Sequence, residues 1–287
     1  MRDVSTALQE TRRNGPIMLA LTPTALALLC FLLAPLALIL FNSLTKTTNG
    51  RIAFSLTNYH QVLGDSYYWI VLYRTVRISL LTTLSSLVLG YPAALYLYFS
   101  KSAWRRVFLF IVISPLFVSI VVRTYGWIIL LGSDGPINAM LPEDSQARML
   151  RTEGAIILGL MHVYLPFMVL SLNATLTKVD RKLLAAGASL GATNFQIFRT
   201  ILWPLSLPGI LSGCMVVFAI SMTAFSTPVL LGGAANKTLP YLVYQQNLLL
   251  FNWHLGSALA FVLLAATLIC MTALRHATER AAGRGLL

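Results

Sequence analysis

The stretch LLAAGASLGATNFQIFRTILWPLSLPG, residues 183–209, pauses a chain otherwise dominated by long apolar runs. It reads as two short helices joined by a glycine. Leu183, Ala186, Gly187 and Leu190 recur at i, i+3, i+4 and i+7 and give a small, apolar face. Gly191 falls where that helix ends, at the position that accepts left-handed backbone geometry. Thr193 and Gln196 form a T-x-x-Q capping box that restarts a helix, with Phe195, Phe198 and Ile201 or Leu202 as its apolar face. Pro204 is expected to stop it and Pro208 to open the next apolar run. Ala185, Ala186, Ala188 and Ser189 beside Gly187 make a flat surface that another backbone can approach closely. Such a helix fits a groove in a partner protein. It equally fits a connector lying on lipid headgroups.

The surroundings place this hairpin at a membrane. Of 287 residues, 57% are hydrophobic and only 10% charged, which excludes an ordinary soluble domain. The apolar residues gather in runs of about twenty, enough for a helix to cross a ~30 Å hydrocarbon layer. The alternating pattern of a membrane β-barrel is absent. The expected class is all-α and polytopic. Six spans are expected, at 17–41, 78–99, 107–130, 155–176, 208–228 and 255–274. The first is too long for a signal-peptide core and is read as an uncleaved helix. The segment 229–254 is apolar but interrupted, as a re-entrant or interfacial helix would be.

Charge sets the orientation. Six spans put both termini on one side, with the loop at 101–106 and the hairpin. That side carries 13 Lys and Arg against 4 Asp and Glu; the other carries 8 against 5. The positive-inside rule makes the first side cytoplasmic. The net charge of +12 is thus a topological signal, with no nucleic acid implied. The expected organisation is a cytoplasmic N-terminal segment at 1–16, a transmembrane domain at 17–274 with a cytoplasmic loop at 177–207, and a cytoplasmic tail at 275–287. Cys30, Cys214 and Cys270 lie inside apolar runs, an odd set without metal or disulfide spacing, and read as small packing residues.

The hairpin resembles the cytoplasmic signature loop of permease subunits of ATP-binding-cassette (ABC) importers, E-A-A-x3-G-x9-I-x-L-P. Here it reads Ala185-Ala186-Gly187, then Gly191, Ile201 and Trp203-Pro204, with the spacing kept throughout. Ala185 stands for the glutamate, Gly187 for the second alanine and Trp203 for the leucine. The fragments FSLTNY, LGYPAAL, RTYG, LPFMVLSL, LPGILSG and NWHLGSALAF, in this order, look like the spermidine/putrescine branch. The resemblance implies a six-helix permease of type I in a bacterial inner membrane. It implies that Leu184, Ala185, Ala186, Gly187, Ala188, Leu190, Gly191 and Ala192 form a coupling helix docked in a cleft of a cytoplasmic ATPase dimer. It also implies a second, homologous permease subunit, a periplasmic substrate-binding protein, and ATP with Mg²⁺ held by the ATPase alone. The cargo implied is a polyamine or a similar small organic amine.

Enzymatic chemistry has no footing in the residues. A phosphate loop needs G-x-x-x-x-G-K-[ST]; GGAANKT at 232–238 has Asn236 where glycine is required and reads as a turn-rich loop. His60, His162, His254 and His276 are scattered. A self-contained secondary carrier or channel, the alternative class, is expected to bury ionisable groups for ion coupling or a charged filter. The expected spans hold no Asp or Glu, and Arg123 is the only charge well inside one. Arg123 lies 16 residues from the inner end of its span, or roughly 24 Å along a straight helix, where an arginine can snorkel. Arg123, Tyr125 and Asp134 are the candidate pathway residues. Pro92, Pro115 and Pro166 mark spans two to four as interrupted. Gly209-x-x-x-Gly213 in span five reads as a packing seam.

Overall fold

The computed structural model describes residues 23–24, 26–48, 51–140 and 149–283. The N-terminal segment expected at 1–16, the start of the first span, part of the loop after span three and the last four residues of the tail expected at 275–287 lie outside these. Five helices are long and apolar enough to cross a membrane, and a bent pair makes a sixth crossing when taken as one.

The centre is a three-helix bundle of α3 (Ser66–Phe99), α7 (Glu153–Leu176) and α10 (Trp203–Met222). Ile78, Ala94, Leu160, Met168, Leu172 and Val217 fill it. Apolar burial does not drive helices together in lipid, since the alternative contact is equally apolar. Small residues do, because they admit close packing. At Gly213 a Cβ would stand 2.7 Å from Met168 Sδ, and at Gly209 it would stand 2.8 Å from Thr175 Cβ and 3.2 Å from the Ser171 carbonyl oxygen. The G-x-x-x-G pair is therefore a seam between α10 and α7. A buried bond between Tyr91 OH and Ser206 Oγ, 3.0 Å, joins α10 to α3.

Outside the bundle lie α1 (Leu26–Ser43), α2 (Thr57–Gly64), α4 (Trp104–Ile113), α5 (Ile120–Leu131), α6 (Pro136–Ala139), the hairpin helices α8 (Arg181–Ser189) and α9 (Asn194–Ile197), then α11 (Ser226–Gly232), α12 (Leu239–Tyr244) and α13 (Trp253–Gly283). The interrupted segment at 229–254 thus holds short helices, as its sequence indicates. A second small core forms where α2, α3, α12 and α13 meet, around Val62, Val71, Leu239 and Leu259. The Thr75 hydroxyl accepts the Leu239 N–H at 2.9 Å, which ties α12 to α3. α1 buries almost nothing against this chain. Its C-terminal end is held by Asn58, which donates to the Ser43 and Thr45 carbonyls, and by His254, whose Nδ1 stands 3.0 Å from the Asn42 carbonyl oxygen.

The polar stretch after α1 contains an antiparallel pair, β1 (Thr45–Thr48) and β2 (Arg51–Phe54), before α2. Four expectations are corrected. The second span starts at Ser66, capped by the Asp65 carboxylate, twelve residues before Ile78. It continues through Arg74 and Arg77 because Glu153 neutralises both, with Arg74 Nε at 3.3 Å and Arg77 in a short ion pair. Arg123 is therefore not the only charge on a spanning helix. Span three breaks at Pro115. Residues Ser114–Phe117 form a 3-10 turn, Val118 is extended, and the flanking pieces cross at 101°. Helices run on through Pro92, exposed on α3, and through Pro166, buried in α7, and both helices pack into the bundle along much of their length. α4 buries no residue, so nothing holds it straight across the missing N–H.

Finally, Pro204 does not end the hairpin's second helix. A π-helical stretch, Phe198–Leu202, widens the turn; the Trp203 N–H reaches back to the Phe198 carbonyl, and the helix proceeds unbroken from Asn194 to Met222. Span five therefore begins inside the hairpin and stops at Met222, short of Pro228.

Gly209→Val would thrust a branched Cβ into the α7 seam. The expected loss is about 1–3 kcal/mol, read as a lowered thermal unfolding midpoint of the purified protein in detergent. Gly126→Ala, on α5 with nothing within 4 Å of the new Cβ, is expected to leave that midpoint unchanged or raised.

Candidate functional site

The hairpin is set by its two corner devices. Asp180 opens α8, its Oδ1 accepting the Lys182 N–H at 2.9 Å. α8 closes in a Schellman turn: the Gly191 N–H donates to the Ala188 carbonyl at 3.0 Å and the Ala192 N–H to the Gly187 carbonyl at 3.1 Å. Gly191 has φ +84°. An L-residue is strained there, although a Cβ would meet nothing within 4 Å. Thr193 then starts α9 with both halves of the capping box. Its Oγ1 accepts the Gln196 N–H at 3.3 Å, and Gln196 Oε1 accepts the Thr193 N–H at 2.7 Å.

The inward face of α8 differs from the periodic reading. Leu184 and Gly187 turn inward, while Leu183 and Leu190 are exposed, Leu190 to 88%. A Cβ at Gly187 would stand 3.1 Å from Ile201 Cδ1 and 3.4 Å from Ile197 Cγ1. That close approach accounts for glycine at a position where the resembling motif has alanine. On the second arm Ile197 and Leu202 are buried, whereas Phe195 is 70% exposed and does not belong to the inner face. The hairpin thus presents Ala185, Ala186, Ala188, Leu190 and Phe195 to the outside.

Its base is fastened to the bundle. Phe198 and Trp203 pack on the Tyr91 ring, the Tyr98 hydroxyl donates to the Val179 carbonyl at 3.3 Å, and Arg181 donates to the Tyr98 carbonyl. These contacts carry the second arm and the base, and they leave the outer face of α8 uncovered.

A second feature lies at the break in span three. The bend leaves a cavity of about 500 Å³ beside Arg123, walled by Phe117, Ser119, Tyr164 and Phe167. Arg123 Nε and Nη1 are buried there without a hydrogen-bond partner. The 24 Å depth argument assumed a straight span and does not survive the 101° bend. Of the three candidate pathway residues only Arg123 lines this cavity. Tyr125 is exposed on α5, and Asp134 is exposed in the turn before α6. The cavity was not legible in sequence beyond the proline at 115. His162 accepts the Trp127 indole N–H at 3.1 Å, a link between α5 and α7. The near phosphate loop is a left-handed turn at Gly233 followed by a 3-10 turn.

Comparison with known proteins agrees with this geometry. The model of the binding-protein-dependent transport system inner membrane component family matches residues 86–282. The chain is 36% identical over 217 residues to the spermidine/putrescine transport system permease protein PotB of Escherichia coli (strain K12), covering 74% of this chain and 78% of that one. It is 35% identical over 240 residues to PotB of Haemophilus influenzae, covering 81% and 84%. Among solved structures, a chain of a bacterial alginate ABC transporter, in complex with a periplasmic protein bound to an alginate pentasaccharide, superposes with a TM-score of 0.78 at 18% identity, over 96% of this chain and 97% of that chain. The chain belongs to the family of binding-protein-dependent transport system inner membrane components, and is a multi-pass inner-membrane permease subunit of an ABC importer.

Proposed function

We propose that this permease passes a polyamine delivered by a periplasmic binding protein, and that a separate cytoplasmic ATPase dimer drives it by gripping the helix from Leu184 to Ala192. ATP and Mg²⁺ belong to that ATPase. The observation that carries the coupling reading is the contrast between the two hairpin arms. One arm is continuous with a bundle helix, and the other offers an uncovered face of alanines ending in an exposed Leu190. A rigid helix docked on such a face transmits closure of the ATPase as one body. The polyamine reading is supported by the identity to the PotB proteins. Phe117, Tyr164 and Phe167 add aromatic faces beside the cavity that suit an organic cation.

A second permease subunit, most simply a homologue, completes the pathway. The cavity beside Arg123 is open on one side, no acid lines it among the described residues, and Glu153 is taken up by Arg74 and Arg77. The acidic contacts for a polycation, and a counter-charge for Arg123, then come from the mate. The hairpin faces the cytoplasm in this arrangement, together with both termini.

The test is reconstitution of the chain with its ATPase, mate subunit and binding protein in proteoliposomes. Spermidine-loaded binding protein is expected to stimulate ATP hydrolysis, and omission of the binding protein to remove the stimulation. Ion-gradient-driven uptake by the lone chain would refute the reading.

Gly191→Val is expected to insert normally and yet lose stimulated hydrolysis, because a branched residue at φ +84° strains the corner by about 1–3 kcal/mol. Gly191→Asn, which tolerates left-handed geometry, is expected to keep most of it. Equal activity in both variants would remove the corner from the coupling path. Leu190→Glu leaves the fold untouched, since Leu190 is already in solvent, and is expected to weaken co-purification of the ATPase.

A further inference from the structure

We propose that a basic recess where α3, α4, α7 and α8 meet binds the phosphate of an anionic phospholipid. The recess has a volume of about 370 Å³ and is walled by Tyr98, Arg105, Thr177, Val179, Asp180 and Arg181. It lies where three helices end or begin: α3 at Phe99, α4 at Trp104 and α7 at Leu176.

Its charge is one-sided. The segments 98–106 and 177–182 carry Lys101, Arg105, Arg106, Lys178, Arg181 and Lys182 against Asp180 alone. Asp180 is already engaged as the cap of α8. Among the described residues none of these basic side chains joins an ion pair within 4 Å, the pairs of Glu153 with Arg74 and Arg77 lying at the far end of the bundle. Arg181 is preset. Its guanidinium stands 5.1 Å above the Tyr98 ring and donates to the Tyr98 carbonyl, and this leaves further N–H groups for an acceptor. Arg105 is half-buried on the facing wall. Two guanidinium groups facing one recess suit a phosphate, which accepts forked, charge-assisted hydrogen bonds.

The setting selects a lipid over a free phosphate. Trp104, next to Arg105 at the start of α4, is 69% exposed, and Trp104, Val107 and Ile111 recur at i, i+3 and i+7 as an exposed apolar stripe on α4. An indole at the headgroup level with an apolar stripe beneath it is the surface that acyl chains cover. A basic pocket between spanning helices is the usual form of an anionic headgroup site. Because Arg181 is the first residue of α8, a bound headgroup would hold the start of the hairpin against the bilayer. The binding claim itself needs only the membrane location and is independent of cargo and coupling.

The experiment is native mass spectrometry of the purified full chain after exchange into detergent containing phosphatidylglycerol or phosphatidylcholine. The wild type is expected to retain phosphatidylglycerol in preference to phosphatidylcholine. Arg105→Gln, whose side chain makes no bond within the chain, is expected to lower that retention about tenfold, the loss that follows from one charge-assisted hydrogen bond. Arg199→Gln, basic and exposed on the same side but outside the recess, is expected to retain lipid as the wild type does. Unfolding midpoints in neutral detergent should match across all three, with a rise on adding phosphatidylglycerol that Arg105→Gln lacks. Equal losses from Arg105→Gln and Arg199→Gln would show diffuse attraction and overturn the site. Binding of inorganic phosphate without lipid retention would overturn the lipid assignment. So would unchanged lipid retention in Arg105→Gln.

Discussion

The approach of α10 to α7 at Gly209 and Gly213 is the contact that turns separate spanning helices into one body. In hydrocarbon the apolar side chains gain little by leaving lipid for one another, so what holds the bundle is dispersion at short range. Only residues without a Cβ allow α10 to come within reach of Met168, Ser171 and Thr175. The seam lies a turn and a half beyond Pro204, and the helix between is unbroken because the π stretch at Phe198–Leu202 absorbs the proline. Whatever tilts the hairpin's second arm therefore tilts the seam, and with it the packing of α10 on α7 and α3.

The first arm obeys a different logic. It is anchored through Leu184 and Gly187 and through the turn at Gly191, and its remaining surface faces out. Leu190 and Phe195 stand in solvent on either side of that turn. Single exposed apolar residues are ordinary, but two large ones flanking a row of alanines at a rigid corner form a surface shaped for contact. The substitution of glycine for alanine at 187 tightens the hairpin against Ile201 without altering this outer face. The departure of this chain from the wider motif is thus a packing matter internal to the hairpin. The change at Ala185, by contrast, removes a charge from the outer face.

What could be read from the sequence was whatever depends on local chemistry. The capping box at Thr193 and Gln196, the left-handed corner at Gly191, the fourth span and the glycine seam all follow from residues within a few positions of one another. What escaped depends on distant partners. Arg74 and Arg77 looked like a span boundary because their neutraliser, Glu153, is about 80 residues away. Pro204 looked like a stop because a π turn has no sequence signature. Pro115 looked like Pro92 and Pro166, but α3 and α7 bury many residues in the bundle whereas α4 buries none. The inner face of α8 was misjudged by one residue, since periodicity gives a stripe and the second arm decides which edge of it is covered. The Arg123 cavity is a product of the bend at 115 and could not be seen before the bend was.

Burial along the chain is graded, and the gradient has a meaning. Over their most apolar windows α7 is 56% buried, α3 39%, α13 22% and α1 6%. Helices of a self-sufficient pathway would enclose it on all sides, whereas here the core lies to one side of the cavity and the flanking helices face outward. Arg123 makes the same point in terms of charge. Two of its nitrogens are out of reach of solvent and hold no partner, and a guanidinium cannot shed its proton to escape the penalty. Among the described residues no acid lines the cavity, and Glu153 is engaged elsewhere. A cation so placed is tolerable only if its surroundings are completed by groups beyond the described residues. The unsatisfied arginine and the open cavity fit one physical cause, the missing wall that the proposed second subunit would supply.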